Sequence, residues 1–144
     1  MLLLDRANVK WWNKPLALHH GRALPAELVV LDREVRSPEQ GAWLNSRGMR
    51  LGVIDLQLDA SGRLRTVRVE LPKFVSETLA DLYCRAGVRK GCPDLVIWDL
   101  RGKTLRLVEV KCPDWDAPSA EQAQFLATAG ECGIVASVVE WRFL

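Results

Sequence analysis

Between Gly91 and Lys111 the chain runs GCPDLVIWDLRGKTLRLVEVK. Two apolar stretches flank a short polar turn, which predicts a β-hairpin whose strands are made for burial. Charges nevertheless stand at one end of it. Asp94 opens the first strand, and Glu109 and Lys111 close the second. Side chains two apart on a strand share a face, so Glu109 and Lys111 project together while Val108 and Val110 pack the other way. The turn RGKT folds the strands antiparallel and brings Asp94 to the end where Glu109 and Lys111 lie.

The rest of the chain must supply what covers such a hairpin. Its 144 residues suit one domain. Ser119 predicts a helix N-cap with Gln122 completing a capping box, and the periodicity of Val75, Leu79, Leu82 and Ala86 predicts a helix over 72–86 that ends at Gly87. Glu77, Asp81 and Arg85 step down the polar side of that helix. LGVIDLQL and RLRTVRVEL read as strands joined by the turn DASG, and GIVASVVEW as a buried strand. SPEQGAWLNSRG carries helix punctuation: Ser37 as N-cap, Pro38, Gln40 closing a capping box, and Gly48 as terminator. Leu28 to Leu31 suggests a short strand inside a poorly patterned segment, 1–36. The expectation is a single α/β domain, a mixed sheet flanked by helices over 37–144, preceded by that extension.

Composition narrows the function classes. A formal net charge of +2 is too small to announce a nucleic-acid partner, so any basic surface is local. No apolar run approaches a membrane span, and Asp5 and Arg6 interrupt MLLLD too early for a signal peptide. The four cysteines lack C-x-x-C or zinc spacing, which suits reduced thiols and a cytoplasmic setting. His19 and His20 stand in no ligand pattern and suit an ordinary loop or pocket site.

Two carboxylates brought together repel, and burying them unpaired is costly. A divalent cation with oxygen ligands removes that cost, and Lys111 beside it suits a phosphate or an attacking water. That combination fits metal-assisted hydrolysis of a phosphodiester. The plainer reading is a solvated Glu-x-Lys pair contributing about 0.5 kcal/mol, with Asp94 as a turn residue.

Asp followed by a strand turn and Glu-x-Lys resembles the signature of the PD-(D/E)XK nuclease superfamily. RKGCPDLVIW and LVEVKCPDWDAPSAEQAQFL are similar to its VRR-NUC branch. That branch includes small nucleases of phages and bacteria and the C-terminal nuclease of the Fanconi-associated nuclease family. The resemblance is continuous over about 89–126 and thins upstream. It implies a restriction-endonuclease-like fold and a Mg²⁺- or Mn²⁺-dependent DNA nuclease. Asp94 and Glu109 would be metal ligands, the carbonyl of Val110 a further ligand, Lys111 the catalytic lysine, and Gln122 a residue lining the site. A glutamate on the first helix is also implied, and Glu39 is the candidate, with Glu77 as competitor. Cys112 departs from the pattern, where a small or glycine-like residue is usual.

Backbone contacts to DNA would come from Arg85, Arg89 and Lys90, and from Arg63, Arg65 and Arg68 upstream. Branched or flapped DNA is the substrate class implied, and a homodimer would suit a two-fold junction. The alternative is a DNA-binding or assembly module that keeps the fold without turnover.

Overall fold

Alternation along the hairpin sends its side chains to two different helix layers. The computed structural model describes residues 1–44, 51–58, 60 and 64–144. Strand β7 (Leu95–Asp99) pairs antiparallel with β8 (Thr104–Lys111), with Leu95 opposite Val108. On one face Leu95, Ile97, Val108 and Val110 pack under α1 (Ala26–Glu34). On the other, Val96, Trp98 and Leu107 meet α2 (Lys73–Ala86) and α3 (Ala120–Glu131) through Val75, Leu79, Leu82 and Phe125. Burial on both faces is why these two strands are apolar almost throughout.

Seven further strands extend the sheet: β1 (Leu2–Trp11), β2 (Lys14–His19), β3 (Arg22–Leu24), β4 (Gln40–Leu44), β5 (Leu51–Leu58), β6 (Leu64–Glu70) and β9 (Val135–Phe143). Among the described residues the order is β3-β2-β1-β9-β8-β7-β4-β5-β6. The pairs β1 with β9 and β8 with β9 are parallel, and the other pairs are antiparallel. The expected mixed sheet with helices on its faces is therefore present. Residues 1–36 form three of its strands and the whole of one helix layer.

Two local expectations are corrected. The helix punctuation in SPEQGAWLNSRG does not make a helix: Gln40 to Leu44 form β4, hydrogen-bonded between β7 and β5. Gln40 accepts from the indole Nε1 of Trp98 at 3.2 Å rather than closing a capping box. A Cβ on Gly41 would stand 2.8 Å from Leu31 Cδ1 and 2.9 Å from Val35 Cγ2, so α1 crosses the sheet where β4 has no side chain. The proposed terminator Gly48 lies outside the described residues, as does most of the DASG turn. The second correction is Leu28 to Leu31, which belong to α1 and are buried on it. A short continuous apolar run has no period to distinguish strand from helix.

Helices α2 and α3 follow their sequence signals. Gly87 closes α2 in the left-handed region at φ 67°, and Ser119 and Gln122 form the capping box that starts α3. The last strand forms as expected, but it is not buried: Val135 and Val138 are 66% and 50% exposed. Its β-branched run serves the ladder between β8 and β1 rather than a covered face.

Candidate active site

Asp94 is fixed by backbone bonds on both sides. Its carbonyl accepts from Leu44 N of β4 at 2.7 Å, and its carboxylate Oδ2 accepts from Val110 N of β8 at 2.9 Å. The approach to it depends on Gly91, whose φ is 112°. A Cβ there would stand 2.6 Å from the backbone of Glu121 and 2.8 Å from Gln122 N, so only glycine lets this loop cross the start of α3.

That crossing sets Gln122 over the end of β8. Gln122 Nε2 donates to Glu109 Oε1 at 2.9 Å, and Lys111 Nζ donates to Gln122 Oε1 at 3.2 Å. Lys111 Nζ lies 3.8 Å from Glu109 Oε1. The same Gln122 Oε1 accepts from Ser119 N, so the capping box and the site share one side chain. Gln122 caps α3 and also touches Glu109 and Lys111. Asp94, Glu109, Lys111 and Gln122 thus meet at one end of the hairpin.

The electrostatics mark this end as under-compensated. Burial, with Glu109 beside it, pushes the Asp94 carboxyl up to about 7. Glu109, only 4% exposed, is also raised by burial, against the pull of Lys111 and its hydrogen bonds. Two further carboxylates act on the pair: Glu27 on Asp94 and Asp116 on Glu109. Glu27 sits in the first turn of α1 and pairs with Lys14, the first residue of β2. Its second oxygen, Oε2, is the one buried side-chain polar atom without a partner among the described residues. Asp116 accepts from Cys112 N at 2.7 Å, in a turn whose hinge is the fully buried Cys112. A cavity of about 360 Å³ is lined by Glu27 and Asp116, together with Lys14, Trp115 and Trp141 among others.

An all-oxygen set with an orphaned carboxylate oxygen suits a hard divalent cation. Asp94 and Glu109 are the side chains that would hold it, and Glu27, whose charge acts on Asp94, is the further carboxylate with an oxygen to spare; in this arrangement the three do not bring their ligand atoms within 4.8 Å of one another. Buried polar atoms without a partner are rare and call for an explanation.

Glu39 is not brought to this group. It precedes β4 near the other end of the hairpin, about 15 Å along the strand from Asp94. There its carboxylate accepts from Arg106 Nε at 3.1 Å and Nη2 at 3.2 Å. Glu77 stands on the solvated side of α2, 3.6 Å from Lys73. The glutamate that a helix carries toward this end is Glu27, in the first turn of α1, whose charge acts on Asp94. Its signal was a first-turn acid after Pro25, just before the apolar run 28–31. Lys14 and Asp116 had no sequence signal.

Of the basic candidates, Arg85 pairs with Asp81 at 2.8 Å on the solvated face of α2. Arg89 is exposed, and Lys90 lies 3.9 Å from Glu121 beside the first turn of α3. Arg65 and Arg68 are exposed on β6, the far edge strand, and Arg63 lies outside the described residues. His19 Nε2 meets Asp32 Oδ2 at 2.7 Å, tying the β2–β3 turn to α1. That bond, with His20 in the left-handed turn position at φ 48°, accounts for the clustering of these three side chains.

Residues 42–142 match the VRR-NUC domain. The chain belongs to the VRR-NUC family. Two crystal structures of paFAN1 are also similar, one bound to 5′-flap DNA with a two-nucleotide flap and a gap, the other with a one-nucleotide flap and a gap. Each is 26% identical with a TM-score of 0.38; the match covers 52% and 51% of this chain but 16% and 14% of those chains. Curated proteins yield no match. VRR-NUC is a nuclease domain, and membership supports a hydrolase acting on DNA. Of the residues named above, Asp94, Glu109, Lys111, Gln122 and Asp116 lie within the matched region, and Lys14 and Glu27 lie before it.

Proposed function

We propose that this chain is a divalent-metal-dependent DNA nuclease that cuts branched or flapped DNA. The observation that supports it best is the meeting of Asp94, Glu109, Lys111 and Gln122 at one strand end. Structural carboxylates in a protein are normally neutralised by neighbours, and here burial drives both upward in pKa instead.

Asp94, Glu109 and Glu27, with the Val110 carbonyl, would hold Mg²⁺ or Mn²⁺. Such an ion supplies positive charge for the phosphodiester and a more acidic water. Lys111 keeps an ammonium at the rim of the carboxylates, where it orients the water and faces the charge that develops on the phosphate. Gln122 bonds both Lys111 and Glu109 and so fixes the lysine at 3.8 Å from the acid. Lys90 and Arg89, on the loop that crosses the start of α3, are placed to meet the phosphates of the duplex. Arg85 is a weaker candidate because Asp81 already compensates it.

The test compares wild type and Lys111→Ala on labelled flap, junction, single-stranded and linear duplex DNA with Mn²⁺. Wild type should cut, with branched substrates preferred. Lys111→Ala should bind DNA within a few-fold of wild type while cleavage falls by roughly 10²-fold, as for other lost catalytic groups. Binding without cleavage by wild type on all four substrates would favour a non-catalytic module. Full-rate cutting by Lys111→Ala would reduce the lysine to a strand salt bridge.

A further inference from the structure

Lys14 comes from the N-terminal strands, before the matched region, yet it reaches the carboxylates. Its ammonium pairs with Glu27 Oε1 and its charge acts on Asp94. The side chain is 38% exposed where Glu27 is 13% exposed, so the lysine enters from the solvent side. Nζ also lies 5.4 Å from the centre of the Trp43 ring, an aromatic face that steadies a cation.

The site therefore has a division of labour between two lysines. Lys111 serves Glu109, and Lys14 serves Glu27. Without Lys14, Glu27 would be an uncompensated carboxylate, 13% exposed, whose charge acts on the buried Asp94. Glu27 Oε2 remains unpartnered even so. An ion bound on Oε2 would lie only a few ångströms from the ammonium on Oε1 of the same carboxylate. Like charges so close in a partly dry site repel strongly.

We propose that Lys14 is a placeholder cation for the metal site: it neutralises Glu27 in the metal-free protein and withdraws when a divalent ion binds. The proposal rests on the metal-dependent reading above. Lysine is suited to the role. Its charge is compact, its four-carbon stem is flexible, and its bonds are not locked in a planar fork as those of arginine are. Once released, the ammonium is free for a phosphate of the bound strand, which places Lys14 as a positioning residue for DNA in the loaded enzyme.

The experiment measures Mn²⁺ binding without DNA, by calorimetry and by the Mn²⁺ electron-spin signal, on the full chain. Lys14→Met and Lys14→Gln remove the competing charge, Lys14→Arg keeps it, and Asp94→Asn identifies the site. Both neutral variants should bind Mn²⁺ about tenfold more tightly than wild type, and both should melt at a lower temperature when metal-free. Lys14→Arg, whose fork can hold the carboxylate with two bonds, should bind Mn²⁺ no more tightly than wild type. Lys14→Gln, which can still hydrogen-bond Glu27, separates loss of charge from loss of packing. Unchanged or weaker Mn²⁺ binding in both neutral variants overturns the placeholder role alone. Absence from wild type of any Mn²⁺ site that Asp94→Asn removes overturns the metal reading beneath it.

Discussion

The two ends of the β7–β8 hairpin hold similar numbers of charges and treat them in opposite ways. At the turn-side end Arg106 donates to Glu39 through two nitrogens and to Glu34 through a third, at 3.1 Å, and Nη2 also bonds the Glu34 carbonyl at 2.7 Å. The Arg106 guanidinium holds the Glu39 carboxyl below the usual range. At the other end two carboxylates are raised, one oxygen of a third is orphaned, and the compensating cations are flexible lysines. A charge cluster built for stability satisfies itself within its own hydrogen bonds. One built for a ligand leaves some of that satisfaction to be supplied from outside. Charged residues near a buried hairpin do not distinguish the two; the completeness of their pairing does.

Removing the turn-side cation should give the largest effect on stability. Arg106→Leu leaves Glu34 and Glu39 half-buried without the guanidinium that bonds them, with only the weaker pull of Arg36 on Glu39, and should cost roughly 2–3 kcal/mol, at or below the low end for a fully buried pair. Urea unfolding at neutral pH should show that loss, while Mn²⁺ affinity stays at the wild-type value. A matching drop in Mn²⁺ affinity would mean that the two ends are coupled, and the contrast between them would fail.

The next test uses pH on metal-free protein. Asp94 is raised from an ordinary 3.8 to about 7, so the folded state holds a proton that the unfolded chain has released. Its contribution to stability is present at low pH and is lost as pH climbs through the interval from about 4 to 7. Glu39 is lowered, so its contribution is present above its ordinary range and is lost as pH falls. Unfolding in chelator should therefore show Asp94→Asn flattening the decline between pH 4 and 8, with a gain of about 2 kcal/mol at the upper end. Glu39→Gln should lower the neutral-pH stability and flatten the acid limb, while leaving the decline between pH 4 and 8 in place. Equal slopes for wild type and Asp94→Asn would remove the under-compensation on which the comparison depends.

What the sequence made legible follows from how local each signal was. The hairpin, α2 with its Gly87 stop, and α3 with its Ser119 and Gln122 box all depend on neighbours within a few residues, and all formed. Asp94, Glu109 and Lys111 were legible because strand alternation and one tight turn suffice to bring them together. Residues 37–44 were not. Their cap grammar is outweighed by two flanking strands and by Gly41, whose missing side chain admits α1. Glu27 was hidden for a related reason, since Leu28 to Leu31 carry no period that separates helix from strand. Lys14 reaches the site through the pairing of β1 with β9 and β2, contacts that no short window contains.

The smallest expected effect compares two glutamates. The helix punctuation around Glu39 made it the candidate ligand, whereas in the structure the charge of Glu27 acts on Asp94 and Glu39 is locked onto Arg106. Both are partly buried and each has one basic partner, so their sequence surroundings do not rank them. Their free oxygens do: Glu39 uses both in bonds to Arg106, and Glu27 has Oε2 to spare. Glu27→Gln keeps the shape of the side chain and removes its negative charge. It should weaken Mn²⁺ binding by roughly tenfold, at the low end of what outer ligands of a metal site contribute, since Asp94 and Glu109 remain. Glu39→Gln should leave Mn²⁺ affinity within about twofold of wild type, because at such a distance screening removes most of a single charge's influence. The reverse ranking would mean that β4 rearranges when the site is loaded and carries Glu39 inward, and the separation between the two hairpin ends would then hold for the metal-free protein alone.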